Sequence, residues 1–269
     1  DRELTIESLF EVQSEISSQI ASSLRAALTP EQEVRLAATP TRNLDAYAEY
    51  VAGRKNLMRR EFTTLLQARE QFERAVVLDP TYAQAHAALA ETVLITLANH
   101  QSIAREEVFA IASAHLDKAL QIDPDLAEAH AAKGLMQMSQ WESTRSGPGN
   151  LAAAASFEKA LALNPNLADA YVWYSSLRRT EGELSQAIDL LTKALTVDPL
   201  SRIPYVNLPS LLAVEGQLER TTELLLHAIK LFPEWEIPYE YLSNHMLGLG
   251  RLDESVAWGN EAMRLSDDP

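Results

Sequence analysis

A turn signal that returns at nearly regular intervals constrains the fold of this chain more than any other feature. Proline follows Asp, Asn or Phe at five places, and Asp-Asp-Pro forms the last three residues. The spacings between successive prolines are 44, 41, 34, 34 and 36 residues. The prolines concerned are Pro80, Pro124, Pro165, Pro199, Pro233 and Pro269. Because proline cannot continue a helix, each marks a turn, and the period predicts one repeated helical unit.

Composition favours helices throughout. Hydrophobic residues make up 46% of the chain and there are only 9 glycines in 269 residues, against an average usage of about 7%. The β-branched residues are scattered and never form the alternating runs that indicate strands. We therefore predict an all-α fold.

The repeated unit reads as a helical hairpin. In its second helix a small residue precedes a large apolar one by four positions, so that both share one helix face and let the hairpin close. These pairs are Ala68 and Phe72, Ala112 and Leu116, Ala153 and Phe157, and Ala187 and Leu191. Gly182, Gly216 and Gly250 mark turns inside the last three hairpins, where glycine supplies a left-handed conformation at little cost.

These pairs, glycine turns and Asp-Pro ends resemble the tetratricopeptide repeat family over roughly residues 43–269. The resemblance implies a right-handed α-α superhelix, or solenoid, of about six hairpins with a concave groove that holds a partner segment. We expect repeats at approximately 43–80, 81–124, 125–165, 166–199, 200–233 and 234–269, preceded by an N-terminal helix and linker or cap over 1–42.

Three departures from the regular pattern stand out. The units that end at Pro124 and Pro165 carry extra residues, around 99–107 and 140–150. The composition of residues 141–149 predicts a loop. Pro204 and Pro238 suit the first turn of a helix, whereas Pro209 falls further in, where we expect a kink.

The N-terminal stretch follows a different pattern. Its apolar residues step by three or four and predict one amphipathic helix. They are Ile6, Leu9, Phe10, Ile16, Ile20, Leu24 and Leu28. Together with residues 39–47, this stretch resembles the junction that links an output domain to repeats in multidomain bacterial signalling proteins. We expect the chain to be a fragment of such a protein, and its first helix to be either a cap or a homodimer contact.

Several chemistries are unsupported by the sequence. Cysteine is absent, and the six histidines show no metal-ligand spacing. His86 and His130 occupy the packing position that Tyr171, Tyr205 and Tyr239 hold in later units. No phosphate loop or nucleophile motif is present, so we expect neither an enzyme nor a bound cofactor.

The net charge and the distribution of apolar residues limit the kinds of partner that we expect. A formal charge of −15 without a basic stripe argues against nucleic acid. No apolar run approaches the roughly 20 residues that span a bilayer, so membrane insertion is not expected. The sequence is compatible with either a cytoplasmic or a periplasmic location.

In the family that the chain resembles, the groove is lined by the first helix of each hairpin. Projecting the helical period onto those helices gives the groove positions Tyr47, Tyr50, Arg54, Leu57, Gln84, Glu91, Glu128, Leu135, Asp169, Val172, Ser176, Arg179, Val206, Ser210, Glu240 and Asn244. Arg54 is nearly isolated among them, and Glu91 stands where a carboxylate-binding groove needs a cation. The mixture favours a protein or peptide partner with an apolar or basic segment, anchored by aromatic residues such as Tyr47 and Tyr50.

The sequence therefore predicts a non-catalytic scaffold that docks a partner segment, as the docking or sensing module of a bacterial signalling protein. Two alternatives remain open. The first is a regulatory domain that binds a small ligand in the groove or in a pocket beside Trp141. The second is self-association through the N-terminal helix, which would control an upstream output domain.

Overall fold

The computed structural model describes residues 40–99, 104–144 and 149–266, together with Ser8, Val12, Glu15, Ile16 and Gln19. These residues form twelve α-helices of more than ten residues and no strand. The helices are α1 (Leu44–Arg59), α2 (Phe62–Leu78), α3 (Ala83–Asn99), α4 (Arg105–Ile122), α5 (Ala127–Thr144), α6 (Gly149–Leu163), α7 (Ala168–Thr180), α8 (Leu184–Val197), α9 (Arg202–Val214), α10 (Leu218–Leu231), α11 (Glu236–Gly248) and α12 (Leu252–Ser266). The predicted N-terminal helix and cap lie outside the described residues, apart from the isolated positions named above.

The chain divides into two compact units. Unit 1 covers residues 1–136 and unit 2 covers residues 137–269, with the boundary inside α5. In unit 1, α1 pairs with α2 and α3 pairs with α4; in unit 2, the pairs are α7 with α8, α9 with α10 and α11 with α12. Gln137 in the second half of α5 accepts at Oε1 a hydrogen bond of 2.8 Å from Ser156 Oγ in α6. The helices thus pair in sequence order as hairpins.

The Asp-Pro and Asn-Pro turns have a common geometry. At four of them the carboxylate or amide oxygen before the proline accepts a hydrogen bond from the backbone N–H two residues later, which closes a side-chain turn. The pairs are Asp79 with Thr81, Asp123 with Asp125, Asn164 with Asn166, and Asp198 with Leu200, at 2.9–3.1 Å. This bond explains why Asp or Asn precedes proline. The fifth turn has Phe232 instead, whose ring packs edge-on against Trp235 at 5.7 Å.

A second recurring contact fastens each turn to the helix that follows. The ring nitrogen or hydroxyl of a His or Tyr donates to the carbonyl oxygen of the proline six residues earlier. The pairs are His86 with Pro80, His130 with Pro124, Tyr171 with Pro165, Tyr205 with Pro199, and Tyr239 with Pro233, at 2.8–3.2 Å. His86 and His130 therefore share a structural role with the tyrosines, as their position in the repeat predicts.

The core of each hairpin consists of the small and large residues that the sequence pairs. Ala68, Phe72, Ala187 and Leu191 are all fully buried. Gly53 on α1 completes the close approach to α2, because a Cβ at this position would lie 2.5–2.8 Å from the ring of Phe72. Small residues on one helix thus make room for the ring or branched side chain of the next, the packing that ridges and grooves require.

Two sequence predictions about turns have opposite outcomes. Gly182, Gly216 and Gly250 have φ values of +87°, +72° and +75°, which confirms the left-handed turns. The loop predicted from residue 141 onward is wrong for its first part, since α5 continues to Thr144. None of residues 141–144 is Gly or Pro, so nothing in them stops the helix. Pro204 and Pro238 lie in the first turns of α9 and α11.

None of the helices within the described ranges is both long enough and apolar enough to cross a bilayer.

Candidate partner-binding face

The sixteen predicted groove residues, which we call the first-helix face, differ widely in exposure. Four are buried: Leu57, Glu91, Leu135 and Val172. Eight are half-buried: Tyr47, Tyr50, Arg54, Gln84, Glu128, Asp169, Ser176 and Val206. Four are exposed: Arg179, Ser210, Glu240 and Asn244. All four exposed members belong to unit 2, so the two units must be considered separately.

In unit 1, two charged members of the face, Arg54 and Glu91, bind each other. The Nη1 atom of Arg54 on α1 lies 3.0 Å from Oε2 of Glu91 on α3, and Arg60 Nη2 lies 3.9 Å from Oε1 of the same carboxylate. Glu91 is only 5% exposed. Glu91, which stands where a carboxylate-binding groove needs a cation, is thus the partner of Arg54, because α1 and α3 are neighbouring first helices and bring residues 37 positions apart into contact.

Arg60 was not predicted as part of the face, since it lies beyond the end of α1. It caps the helix in a left-handed conformation with φ 59°, and its backbone N–H donates to the carbonyl of Leu57. A left-handed conformation is unfavourable for a residue other than glycine by roughly 1–2 kcal/mol. No pattern in the sequence marks this conformation, which turns the Arg60 side chain toward Glu91.

The aromatic members of the unit 1 face pack inward. The ring centroid of Tyr50 lies 5.0 Å from that of Tyr82 and 5.8 Å from that of Phe72. Tyr47 and Tyr50 both pack against a buried cluster that includes Tyr82 and Ala46. Burial raises the pKa of Tyr50 to about 12, although the Arg54 charge acts in the opposite direction. These tyrosines hold the hairpins of unit 1 together, in addition to any role toward a partner.

In unit 2 the face contains an open cavity of about 240 Å³ between α9, α10 and α11. Ser210 and Asn244, two predicted face residues on different helices, both line it. The full lining is Pro209, Ser210, Ala213, Thr221, Leu225, Tyr241, Asn244 and His245. Pro209 is predicted from the sequence only as a kink, although its 34-residue spacing from Ser175 and from Ser243 marks it as an exception in the repeat.

A second cavity, of about 220 Å³, lies beside α11 and α12. Its lining residues are Glu236, Glu240, Ser243, Asn244, Gly259, Ala262, Met263 and Ser266. Glu240 and Asn244 are predicted face residues, and Asn244 also lines the first cavity. The two cavities together therefore bring three predicted residues, Ser210, Glu240 and Asn244, onto one surface.

The face residues of α7 do not join this surface. Val172 is buried, and its carbonyl accepts a hydrogen bond of 3.3 Å from Ser176 Oγ. Asp169 and Arg179 line none of the cavities described here. On α9, Val206 is half-buried and also lies outside both linings.

A separate polar cleft of about 540 Å³ lies at the hairpin ends of unit 2, where the sequence predicts a pocket beside Trp141. Its lining residues are Trp141, Asn150, Arg178, Thr180, Glu181, Glu183 and Gln186. Arg178 Nη1 donates to Glu181 Oε2 at 2.8 Å, and Asn150 Nδ2 donates to Glu181 Oε1 at 3.0 Å. Burial lowers the pKa of Arg178, but hydrogen bonds to Tyr174 and Glu181 outweigh it and the net shift is upward.

Two histidines in unit 1 form an unusual pair. The Nδ1 atoms of His86 and His115 lie 2.8 Å apart, and His86 Nε2 lies 3.2 Å from the carbonyl oxygen of Pro80. Since a carbonyl only accepts, Nε2 of His86 carries the proton and its Nδ1 accepts from His115. Burial lowers the pKa of both imidazoles, and the proximity of His86 lowers that of His115 further. No group of three or more His, Cys, Asp or Glu within the described part of the chain is arranged to hold a metal ion.

Comparison with known proteins places this geometry in a class. The tetratricopeptide repeat family model matches residues 168–199, which contain α7 and α8. No curated protein matches the sequence. Three solved structures share the fold: pilF of Pseudomonas aeruginosa, TTC0263 of Thermus thermophilus, described as a thermophilic tetratricopeptide-repeat protein, and PilW, described as a type IV pilus biogenesis factor.

The similarity to these structures is one of fold. For pilF the TM-score is 0.56 at 18% identity, over 84% of this chain and 93% of that one. For TTC0263 it is 0.56 at 16% identity, over 81% and 99%, and for PilW 0.55 at 18% identity, over 80% and 91%. The family model covers one repeat of the chain, and together with these structures it confirms the predicted all-α fold of tetratricopeptide-type helical hairpins.

Proposed function

We propose that this chain is a non-catalytic protein-interaction scaffold that binds a peptide segment of a partner on the first-helix face of unit 2. The observation that carries the proposal is the surface where Ser210, Glu240 and Asn244 line two adjoining cavities. Concave surfaces that combine apolar walls with a few polar groups are the usual form of a recognition site. The fold class supports the proposal as an analogy.

Unit 1 has a different part in this function. Arg54 and Glu91 of its face form an ion pair at 3.0 Å, and Tyr50 packs against Phe72 and Tyr82. A partner would have to displace that pair to use Arg54, and separating a buried ion pair is unfavourable. We therefore assign unit 1 a supporting role and place the contact with the partner on unit 2. The wider role, as a docking or sensing module in a bacterial signalling protein, follows from the junction-like N-terminal sequence.

A capture experiment with matched variants tests the proposal. The face variant carries Glu240→Lys and Asn244→Ala, both at exposed positions on α11; the control variant carries Glu223→Lys, at an exposed position on α10. Proteins retained from source cells by the original chain and the control, but lost with the face variant, support the proposal. Equal retention on all three contradicts it. Tyr50→Ala is not suitable, because Tyr50 packs against Phe72 and Tyr82.

The cleft beside Trp141 favours a second candidate function, the recognition of a small polar ligand. The motivating observation is its volume of about 540 Å³ and its lining of Trp, Asn, Arg, Thr, Glu and Gln side chains. A ligand that binds the folded chain raises its melting temperature, and the rise grows with ligand concentration. A screen of polar metabolites should give shifts that disappear in Gln186→Leu; a screen without any shift would remove this candidate.

A further inference from the structure

The cavity beside Pro209 lies where the repeat has a proline in place of a serine. Ser175, Pro209 and Ser243 occupy equivalent positions, 34 residues apart. In the last hairpin, Ser243 Oγ donates to the carbonyl oxygen of Ser255 at 2.7 Å and ties α11 to α12, whereas Ser175 Oγ donates to the carbonyl oxygen of Val172 in its own helix. The residue equivalent to Ser255 in the preceding hairpin is Thr221, and the residue that faces it there is proline, which has no hydroxyl.

The hairpin of α9 and α10 also differs from its neighbours in packing. Thr221 Oγ1 donates to the carbonyl of Gln217 in its own helix at 3.0 Å, instead of contributing to a bond between helices. The helices α9 and α10 approach each other less closely than α7 and α8, or α11 and α12, on either side of them. Pro209 and Thr221 both line the resulting cavity, which also contains the buried side chain of Leu225.

The lining determines what this cavity can hold. Proline, alanine, leucine and the tyrosine ring provide the apolar walls, at Pro209, Ala213, Leu225 and Tyr241. Its volume of about 240 Å³ accommodates one branched or aromatic side chain. Burying such a side chain is favourable because it removes apolar surface from water. The exposed Asn244 at the rim offers an amide that can both donate to and accept from a peptide backbone.

The surroundings are acidic. The adjoining cavity, which shares Asn244, is lined by Glu236 and Glu240. Among the described residues that line the two cavities, neither Lys nor Arg occurs, and the whole chain carries a formal charge of −15. Electrostatic complementarity of this kind selects a positively charged group on the partner and disfavours an acidic one.

We propose that the cavity beside Pro209 is a specificity pocket that accepts one apolar side chain of an extended partner segment, followed by a Lys or Arg that faces Glu236 and Glu240. Asn244 binds the peptide backbone between these two side chains. This inference rests on the proposed scaffold function and adds the place and the chemistry of recognition. The family's general mode of binding does not supply it, since it depends on Pro209.

Fluorescence anisotropy with labelled nine-residue peptides tests the chemistry. The probes carry Leu, Phe, Ala or Asp at the centre, flanked by Lys or by Glu, with Gly and Ser elsewhere. Peptides with central Leu or Phe and flanking Lys should bind at least tenfold more tightly than those with central Ala or with flanking Glu. Equal affinity for all compositions would overturn the proposal.

Variants locate the pocket. Ala213→Leu fills it, and Pro209→Ser restores the residue found at Ser175 and Ser243; each should weaken binding of the Leu-Lys peptide at least tenfold without lowering the melting temperature by more than a few degrees. Ala155→Leu, the same substitution at an exposed site on α6, should leave binding unchanged. Glu236→Lys with Glu240→Lys should reverse the preference between flanking Lys and Glu.

The outcomes separate this inference from the proposed function. If peptides bind and are lost with Glu240→Lys and Asn244→Ala, but are unaffected by Ala213→Leu and Pro209→Ser, the scaffold function stands and the pocket is refuted. If no peptide of any composition binds the original chain, both the pocket and peptide docking on this face are refuted.

Discussion

Units 1 and 2 are built from the same kind of helical hairpin, yet the residues of their first-helix faces differ in their contacts and exposure. In unit 1, Arg54, Arg60 and Glu91 form a buried ionic contact, and Tyr50 packs against its neighbours. In unit 2, the equivalent surface is open around Pro209 and presents exposed polar residues such as Asn244. In unit 1, Arg54, Glu91 and Tyr50 contact residues of neighbouring helices, whereas in unit 2 Ser210, Glu240 and Asn244 are exposed at the cavities.

The comparison shows that repeat position alone does not define a binding site. Positions that share a helix face by period can either pair with a neighbouring helix or remain in solvent, and side-chain length and charge decide between these outcomes. A long Arg on one first helix reaches a Glu on the next, while Pro209 has no hydroxyl to donate to the second helix of its hairpin. Four changes test this difference, in order of expected effect.

The largest effect is expected from Glu91→Ala, which opens the unit 1 face. Arg54 and Arg60 would lose their carboxylate partner; since their side chains remain 32% and 19% exposed, we expect a loss of about 3 kcal/mol, at the low end for a broken buried pair. Urea unfolding measures it. Glu254→Ala breaks a pair of similar length in unit 2, between side chains that are about half exposed, and should change stability by less than about 0.5 kcal/mol. Equal losses of stability in the two variants would show that the ion pair of unit 1 contributes no more than an exposed pair in unit 2.

A pair of glycine substitutions compares packing density in the two units. Gly53→Ala in unit 1 places a methyl group 2.5–2.8 Å from the buried ring of Phe72, and overpacking of this kind destabilises by about 1–3 kcal/mol. Gly259→Ala in unit 2 meets the Oγ of Ser243 at 3.1 Å. That contact opposes a gain in helix propensity of about 0.5–1 kcal/mol, so the net change should be near zero. Thermal unfolding distinguishes the two; a stable Gly53→Ala protein would contradict the tight packing of unit 1.

Pro209→Ser should close the unit 2 face and stabilise the chain. The new N–H can donate to the carbonyl of Tyr205, and a proline in a helix interior is unfavourable by about 3 kcal/mol. Because the native hairpin has already adapted to proline, and because serine leaves the unfolded chain more freedom, we expect a gain of only about 1–2 kcal/mol. Pro204→Ser, in the first turn of the same helix, should give no gain, since proline is well suited to that position. A Pro209→Ser protein less stable than the original would refute the account of the cavity.

The smallest effect that we expect is a decrease in stability at acidic pH. Burial lowers the pKa of His86 and His115 from the ordinary value of 6.5, so the unfolded chain takes up protons at a higher pH than the folded one. The free energy of unfolding should therefore have its full value above pH 6.5 and decrease as the pH falls below 6.5. Asp79 and Glu73 nearby favour the protonated forms of His86 and His115 respectively, and Lys118 opposes protonation of His86.

Urea midpoints at about pH 7.5 and pH 5.5, on either side of the ordinary histidine pKa, measure this dependence. His115→Gln removes the imidazole pair and should show a smaller decrease on acidification than the original chain. His227→Gln, at an exposed position on α10 in unit 2, serves as the control and should retain the full decrease. If His115→Gln keeps the same acid sensitivity, the histidine pair is not its source.

Much of the fold could be predicted from the sequence because the signals for turns and helix packing lie in residues close together in the chain. The proline spacing predicts the turns, and the structure explains it through side-chain turns such as that of Asp79 with Thr81. The glycine turns and the buried pairs such as Ala68 with Phe72 follow from the same pattern. The loop predicted from Trp141 failed because composition describes a tendency over several residues, whereas the end of a helix depends on where a breaker stands.

The candidate site was readable only in part. Helical periodicity selected Ser210, Glu240 and Asn244, which line the two cavities, because residues on one helix face keep a fixed angular relation. It also selected Glu91, whose burial against Arg54 and Arg60 depends on residues from another helix and on the left-handed backbone at Arg60. The sequence by itself determined the repeated hairpin and the faces of its helices, since both depend on contacts among residues near one another in the chain. Only the tertiary structure decided in which unit the face residues contact one another and in which they line exposed cavities. These contacts depend on distances between helices, which the local pattern does not contain.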